Sequence, residues 1–255
     1  MAASSTEAAA HYYQSLFSDV EGISSRELIK ESLQSSSSTQ SSLPFPINWS
    51  LRKLRVILVD VRSKSERDVS IISGAVSLDY FKAKILPSLE AKFEDNVDVD
   101  HVDNYPLPDM VVTYCTVGFR SGLEARKLMH DYPTLFESWT AENETSCENK
   151  KTLIGNLDGI LAFANASRSL ELEYQNEAST DDVNLSSLQP LIIDCQTNTA
   201  TNRVHVYGKS WKVYLSDEYY EAITFSRIEF AWRGILVLVR SCLSSSSKTC
   251  SCCKL

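Results

Sequence analysis

Residues Val111-Val112-Thr113-Tyr114 form an unbroken apolar and β-branched run that delivers a cysteine into the short segment Cys115-Thr116-Val117-Gly118-Phe119-Arg120-Ser121. Just beyond it Ala125, Leu128, Met129 and Tyr132 recur at helical spacing. The pattern predicts a strand, a tight loop and a helix, and a strand with no polar alternation is one covered on both faces. Helix-start amides carry partial positive charge and Arg120 adds a full one. Cys115 is therefore a candidate nucleophile whose thiolate that field favours. Ser121 is expected to cap the helix.

A second apolar run, Val56-Ile57-Leu58-Val59, ends at Asp60-Val61-Arg62. Residues 75–78 read as a short strand, 79–93 as a helix, 152–157 as a strand and 159–165 as a short helix. Strands alternating with helices imply a small parallel α/β sheet flanked by helices on both faces. Ahead of it, residues 11–33 read as helical, with a capping-box pattern at Ser24-Ser25-Arg26-Glu27. Residues 34–42 are a serine-rich tract too polar to bury. Late in the chain, 191–193 and 203–207 are expected to pair as a hairpin. The organisation that follows is a lead-in and linker over 1–43, one α/β domain over 44–215 and a C-terminal segment over 216–255. The domain carries polar insertions near 137–151 and 168–189.

Composition narrows the function. A net charge of −8 over 255 residues provides no basic surface for nucleic acid. The first nineteen residues hold no Lys or Arg and no apolar core of signal-peptide length, which points to the cytoplasm. Seven cysteines, three of them among the last six residues, fit free thiols better than a disulfide framework. Trp232, Ile235, Leu236 and Val239 mark one face of an amphipathic segment. Its apolar run is far shorter than the roughly 20 residues that cross a bilayer. Membrane attachment through this segment and the tail cysteines Cys250, Cys252 and Cys253 stands as the alternative to docking on the domain.

Three stretches taken together resemble the rhodanese-like domain family in order and spacing. They are Leu58-Val59-Asp60-Val61-Arg62 followed by Gly74-Ala75, then Cys115 through Ser121, then Asn156-Leu157-Asp158-Gly159-Ile160-Leu161-Ala162-Phe163. Arg203 through Trp211 is similar to the tail of a subgroup. The resemblance implies a sulfurtransferase: Cys115 takes a sulfane sulfur from a thiosulfate-like donor as a persulfide and passes it to cyanide or a thiol. Thr116, Val117, Gly118, Phe119, Arg120 and Ser121 would hold the persulfide, with a helix-start surface residue satisfied by a carboxylate as the alternative for Arg120, and no metal or organic cofactor is implied. Asp60 and Arg62 are read as structural first, with contact to substrate as the alternative. Where members of the family commonly carry His and Pro, this chain has Ile71 and Ser73.

Cysteine phosphatases of the cell-cycle dual-specificity type resemble the same fold but separate cysteine from arginine by five residues, whereas four separate them here. The phosphatase reading therefore ranks third. The second is a catalytically silent binding or regulatory module whose acidic insertions recruit a basic protein partner. Cys147 and Cys195 are candidates for resolving a persulfide, each with a plain exposed or buried thiol as the simpler account. His205 and Trp211 are read as structural, His205 lacking neighbours that would make a metal site.

Overall fold

The computed structural model describes residues 2–36, 49–51, 54–94, 101–102, 105–138, 151–177, 191–206, 214–215 and 219–224. The chain begins with α1 (Ala2–Ser15), β1 (Glu21–Ile23) and α2 (Ser25–Ser36). It continues through β2 (Trp49–Leu51), β3 (Leu54–Asp60), α3 (Lys64–Arg67), β4 (Ile71–Ile72) and β5 (Val76–Ser77). Helix α4 (Leu78–Tyr80) passes through a π turn at Phe81–Ile85 into α5 (Leu86–Glu94), realising the helix predicted for 79–93. The hairpin β6 (His101–Val102) and β7 (Tyr105–Pro106) leads to β8 (Met110–Tyr114) and α6 (Phe119–Asp131). Then come β9 (Phe136–Ser138), β10 (Thr152–Leu157), α7 (Ile160–Glu177), β11 (Ile192–Ile193), β12 (Arg203–His205) and β13 (Glu221–Ile223).

β8 lies at the centre of the main sheet, between β3 and β10, and all of these pairings are parallel. Two short strands share each outer position. β9 and β1 lie end to end along β10, and β2 and β5 along β3, with β2 the antiparallel exception. Alternation along the central strands splits the core into two layers, because successive side chains leave opposite faces of the sheet. Val56, Leu58, Met110, Val112, Tyr114, Leu153 and Leu157 meet Leu28 and Ile29 of α2 and Phe163 of α7. Val59, Val111 and Ile154 meet Leu86 and Leu89 of α5 and Ala125 and Leu128 of α6. Helices thus cover both faces, as the apolar runs require, and each fully buried Leu, Ile or Val contributes about 1.5–3 kcal/mol.

Four expectations are corrected. The helix predicted over 11–33 is interrupted: the chain turns after Ser15, and Glu21, Gly22 and Ile23 pair with Gly155, Asn156 and Leu157 instead. A glycine weakens the helix there, and the open edge of β10 supplies strand hydrogen bonds. Helix α7 runs well past Asn165, so residues 168–177, expected as an insertion, are helical. Their helical face carries Leu170 into the core, a signal hidden by the acidic residues around it. Glu137 and Ser138 belong to β9, not to a surface insertion. The hairpin between 191–193 and 203–207 does not form: β11 pairs antiparallel with β4, and β12 pairs with β13. Insertion residues 139–150 and 178–189 and the amphipathic C-terminal segment lie outside the described residues, as do Cys147 and Trp211. Among the described residues no helix is long and apolar enough to cross a membrane.

Candidate active site

Cys115 follows the last residue of β8 directly and opens the turn into α6. That turn is possible because Gly118, at the N-cap of α6, adopts φ 88°, in the left-handed region a side chain disfavours. The other wall is the turn between β10 and α7. Ile160 N–H donates to the Cys115 carbonyl at 2.9 Å and Leu161 N–H to the Thr116 carbonyl at 3.3 Å. The Gly118 carbonyl accepts from Asn156 Nδ2 at 2.9 Å. Gly159 makes this approach feasible. At φ 99° it has no Cβ, and one built there would stand 2.6 Å from the Thr116 carbonyl oxygen and the Val117 nitrogen.

In a trans peptide the carbonyl and the following N–H point in opposite directions. Holding the carbonyls of Cys115, Thr116 and Gly118 on the α7 side therefore turns the N–H groups of Thr116, Val117 and Phe119 the other way. Among the described residues, the main-chain N–H groups of Thr116, Val117, Gly118 and Phe119 find no acceptor. Buried amides are almost always paired, and residues 115–118 are buried. A run of convergent amides of this kind is an anion-binding concavity. The hydroxyls of Thr116 and Ser121 are also buried without a hydrogen-bond partner among the described residues.

Two loop residues differ from expectation. Ser121 lies within α6, so Gly118 and not Ser121 occupies the cap; the Ser121 carbonyl instead accepts from Thr113 Oγ1 at 3.1 Å. Arg120, expected first to place its charge on the loop sulfur, with a helix-start residue paired to a carboxylate as the alternative, turns its fork onto Glu66. Nη1 donates to Oε2 at 3.0 Å and Nη2 to Oε1 at 2.7 Å. Cys115 itself has 0% exposure.

Glu66 is the residue sequence reasoning missed. It completes a capping box on α3, its carboxylate accepting from Ser63 N–H at 2.9 Å and Ser63 Oγ at 2.7 Å. His205 Nδ1 reaches to 3.4 Å from Glu66 Oε1, brought there by β12. Burial alone would raise the Glu66 carboxyl. The His205 ring close by, hydrogen bonds from Arg120 and Ser63, and the Arg120 charge outweigh it and hold the group well below the usual carboxylate range. The Ser63-Lys64-Ser65-Glu66 spacing carried the capping signal; nothing near His205 in sequence announced its contact.

Asp60 and Arg62 form a separate buried pair behind the loop. Arg62 Nη2 lies 2.6 Å from Asp60 Oδ2 and also donates to the Ser70 carbonyl at 2.6 Å. The guanidinium stacks 5.5 Å from the Tyr114 ring centroid, whose hydroxyl accepts from Ile72 N–H at 3.2 Å. Burial, then the Asp60 charge, pushes the Tyr114 phenol up. Together these groups fix the ends of β3 and β8 from which the loop springs. Cys195 is exposed in the turn after β11. Among the described residues, no group of three or more His, Cys, Asp or Glu side chains is placed to hold a metal ion.

No curated protein matches the chain. Residues 49–142 match the model of the rhodanese-like domain, a span that runs from β2 through β9 and holds Asp60, Arg62, Glu66 and the whole Cys115–Ser121 loop.

Proposed function

We propose that the protein is a sulfurtransferase in which Cys115 carries a sulfane sulfur as a persulfide. The observation that supports this reading most is that the loop amides at Thr116, Val117, Gly118 and Phe119 find no acceptor among the described residues. The Cys115 thiolate attacks the outer sulfur of the donor; a Sγ–S bond forms and the donor's S–S bond breaks, its electron pair leaving on the departing group. Convergent N–H groups then hold the charge on the terminal sulfur of the persulfide, a preorganised arrangement that needs no acid or base beside it. An acceptor nucleophile removes that sulfur and restores the thiolate.

Incubation with a sulfane-sulfur donor is expected to add the mass of one sulfur to Cys115, and cyanide to discharge it as thiocyanate. Cys115→Ser should lose both. A folded wild-type protein that never gains the sulfur would overturn the reading.

The complete burial of Cys115 favours a second reading, a binding or regulatory module whose thiol is silent. In that case wild type and Cys115→Ala are equally inactive across several donors, while capture of a basic protein partner depends on residues 139–150 and 178–189.

A further inference from the structure

The guanidinium of Arg120 is occupied by a group firmly held in place. Glu66, with its side chain 6% exposed, receives both Arg120 terminal nitrogens and two donors from Ser63, with His205 alongside. Beside the loop, the Arg120 and Glu66 charges cancel. A free guanidinium fork is the usual protein receptor for carboxylate, phosphate and similar oxyanions. Thiosulfate is a dianion whose sulfonate oxygens need such a receptor, and here it must compete with a carboxylate already bonded twice. The net charge of −8 works against a dianion as well.

The start of α6 on either side of Arg120 is apolar. Phe119 is 40% exposed and Leu123, one turn further along α6, is 46% exposed. The Phe119 ring lies 5.9 Å from that of Tyr13 and 5.7 Å from that of Phe17, both on the N-terminal segment. This surface suits a carbon-bearing leaving group and offers nothing to a sulfonate.

Building on the sulfurtransferase reading, we infer that Glu66 is a positioning residue that withholds Arg120 from oxyanion donors, so that the site draws its sulfur from an organic persulfide, R–S–SH, in preference to thiosulfate. The Cys115 thiolate attacks the terminal sulfur. The Sγ–S bond forms, the donor's S–S bond breaks, RS− departs with the electron pair and takes the proton from the transferred sulfur, so that RSH leaves and the persulfide keeps its negative charge. No sulfite is released, and no site for its oxygens is required.

The test uses the full-length protein with glutathione persulfide and inorganic thiosulfate as alternative donors, reading sulfur on Cys115 by mass and turnover with cyanide. Wild type is expected to favour the persulfide in kcat/KM by more than about tenfold. Glu66→Gln keeps the side-chain shape but loosens its hold on Arg120. It should lower the KM for thiosulfate, with kcat changing less, and reduce the preference roughly tenfold, the size of one charge-assisted hydrogen bond. Equal use of the two donors by wild type, or an unchanged thiosulfate KM in folded Glu66→Gln, overturns the donor preference and leaves sulfur transfer standing. Should neither donor load Cys115, both fail together. If Glu66→Gln does not fold, the wild-type ratio still decides.

Discussion

At 1% exposure, Arg62 and Asp60 are charges that a protein interior tolerates only in pairs, and their bonds to each other and to Ser70 satisfy that condition. The sequence sets both at the end of an apolar run, where a structural role is the first expectation; that they bond to each other is seen only in the structure. Glu66 is a different case. Its folded carboxyl lies below its unfolded value of about 4.3, so its stabilisation is fully present above that value and lost as pH falls toward the folded one. Urea midpoints measured from about pH 6 down to about pH 3 should fall steeply for wild type and less steeply for Glu66→Gln. Parallel curves would show that the carboxylate network does not govern acid stability. Residue by residue, the sequence exposes Cys115, Gly118 and Arg120 as a motif. It cannot show that Arg120 faces Glu66, because a side chain's partner is set by elements the chain brings together later.

Among the elements, the central strands were the easiest to read. β8 and the run Val56-Ile57-Leu58-Val59 of β3 read as strands covered on both faces, and they are; β10 is as deeply buried although Thr152, Gly155 and Asn156 interrupt its apolar residues. Short edge strands were harder: β1, β4 and β11 have two or three residues each, too few to show a period, and their pairing is decided by neighbours. Helix α7 began where predicted, but its role was not visible. Its first amides hold the loop carbonyls, and that close contact depends on Gly159. Gly159→Ala places a side chain in a conformation costing about 1–3 kcal/mol and against backbone that cannot move aside cheaply. The expected result is a lower Tm together with slower sulfur loading of Cys115. Loading at the wild-type rate in a destabilised variant would separate the loop's geometry from the helix that abuts it.

For the whole molecule, the matched family segment is less than the structure needs. β10, which borders the central strand, and α7, which covers one face of the sheet, both follow residue 142. So does His205, and the other outer strand, β1, precedes residue 49. Thr6 near the N-terminus donates to the Tyr214 carbonyl at 2.7 Å, and Asn165 Nδ2 donates to the same carbonyl at 2.6 Å. The early helical segment, first read as a lead-in, is thus fastened to α7 and to the late part of the chain.

Because Ile160 and Leu161 fasten the loop carbonyls, the thiol leaves the ribosome well before the amides that shape its pocket can be set. During synthesis Cys115 passes through an interval in which it is an ordinary accessible thiol, open to oxidation or to a passing electrophile. Nascent chains stalled ahead of residue 157 should be labelled quickly at Cys115 by a maleimide, and chains released after α7 has emerged should resist it. Equal labelling of both would mean that the shelter around this sulfur comes from somewhere other than α7.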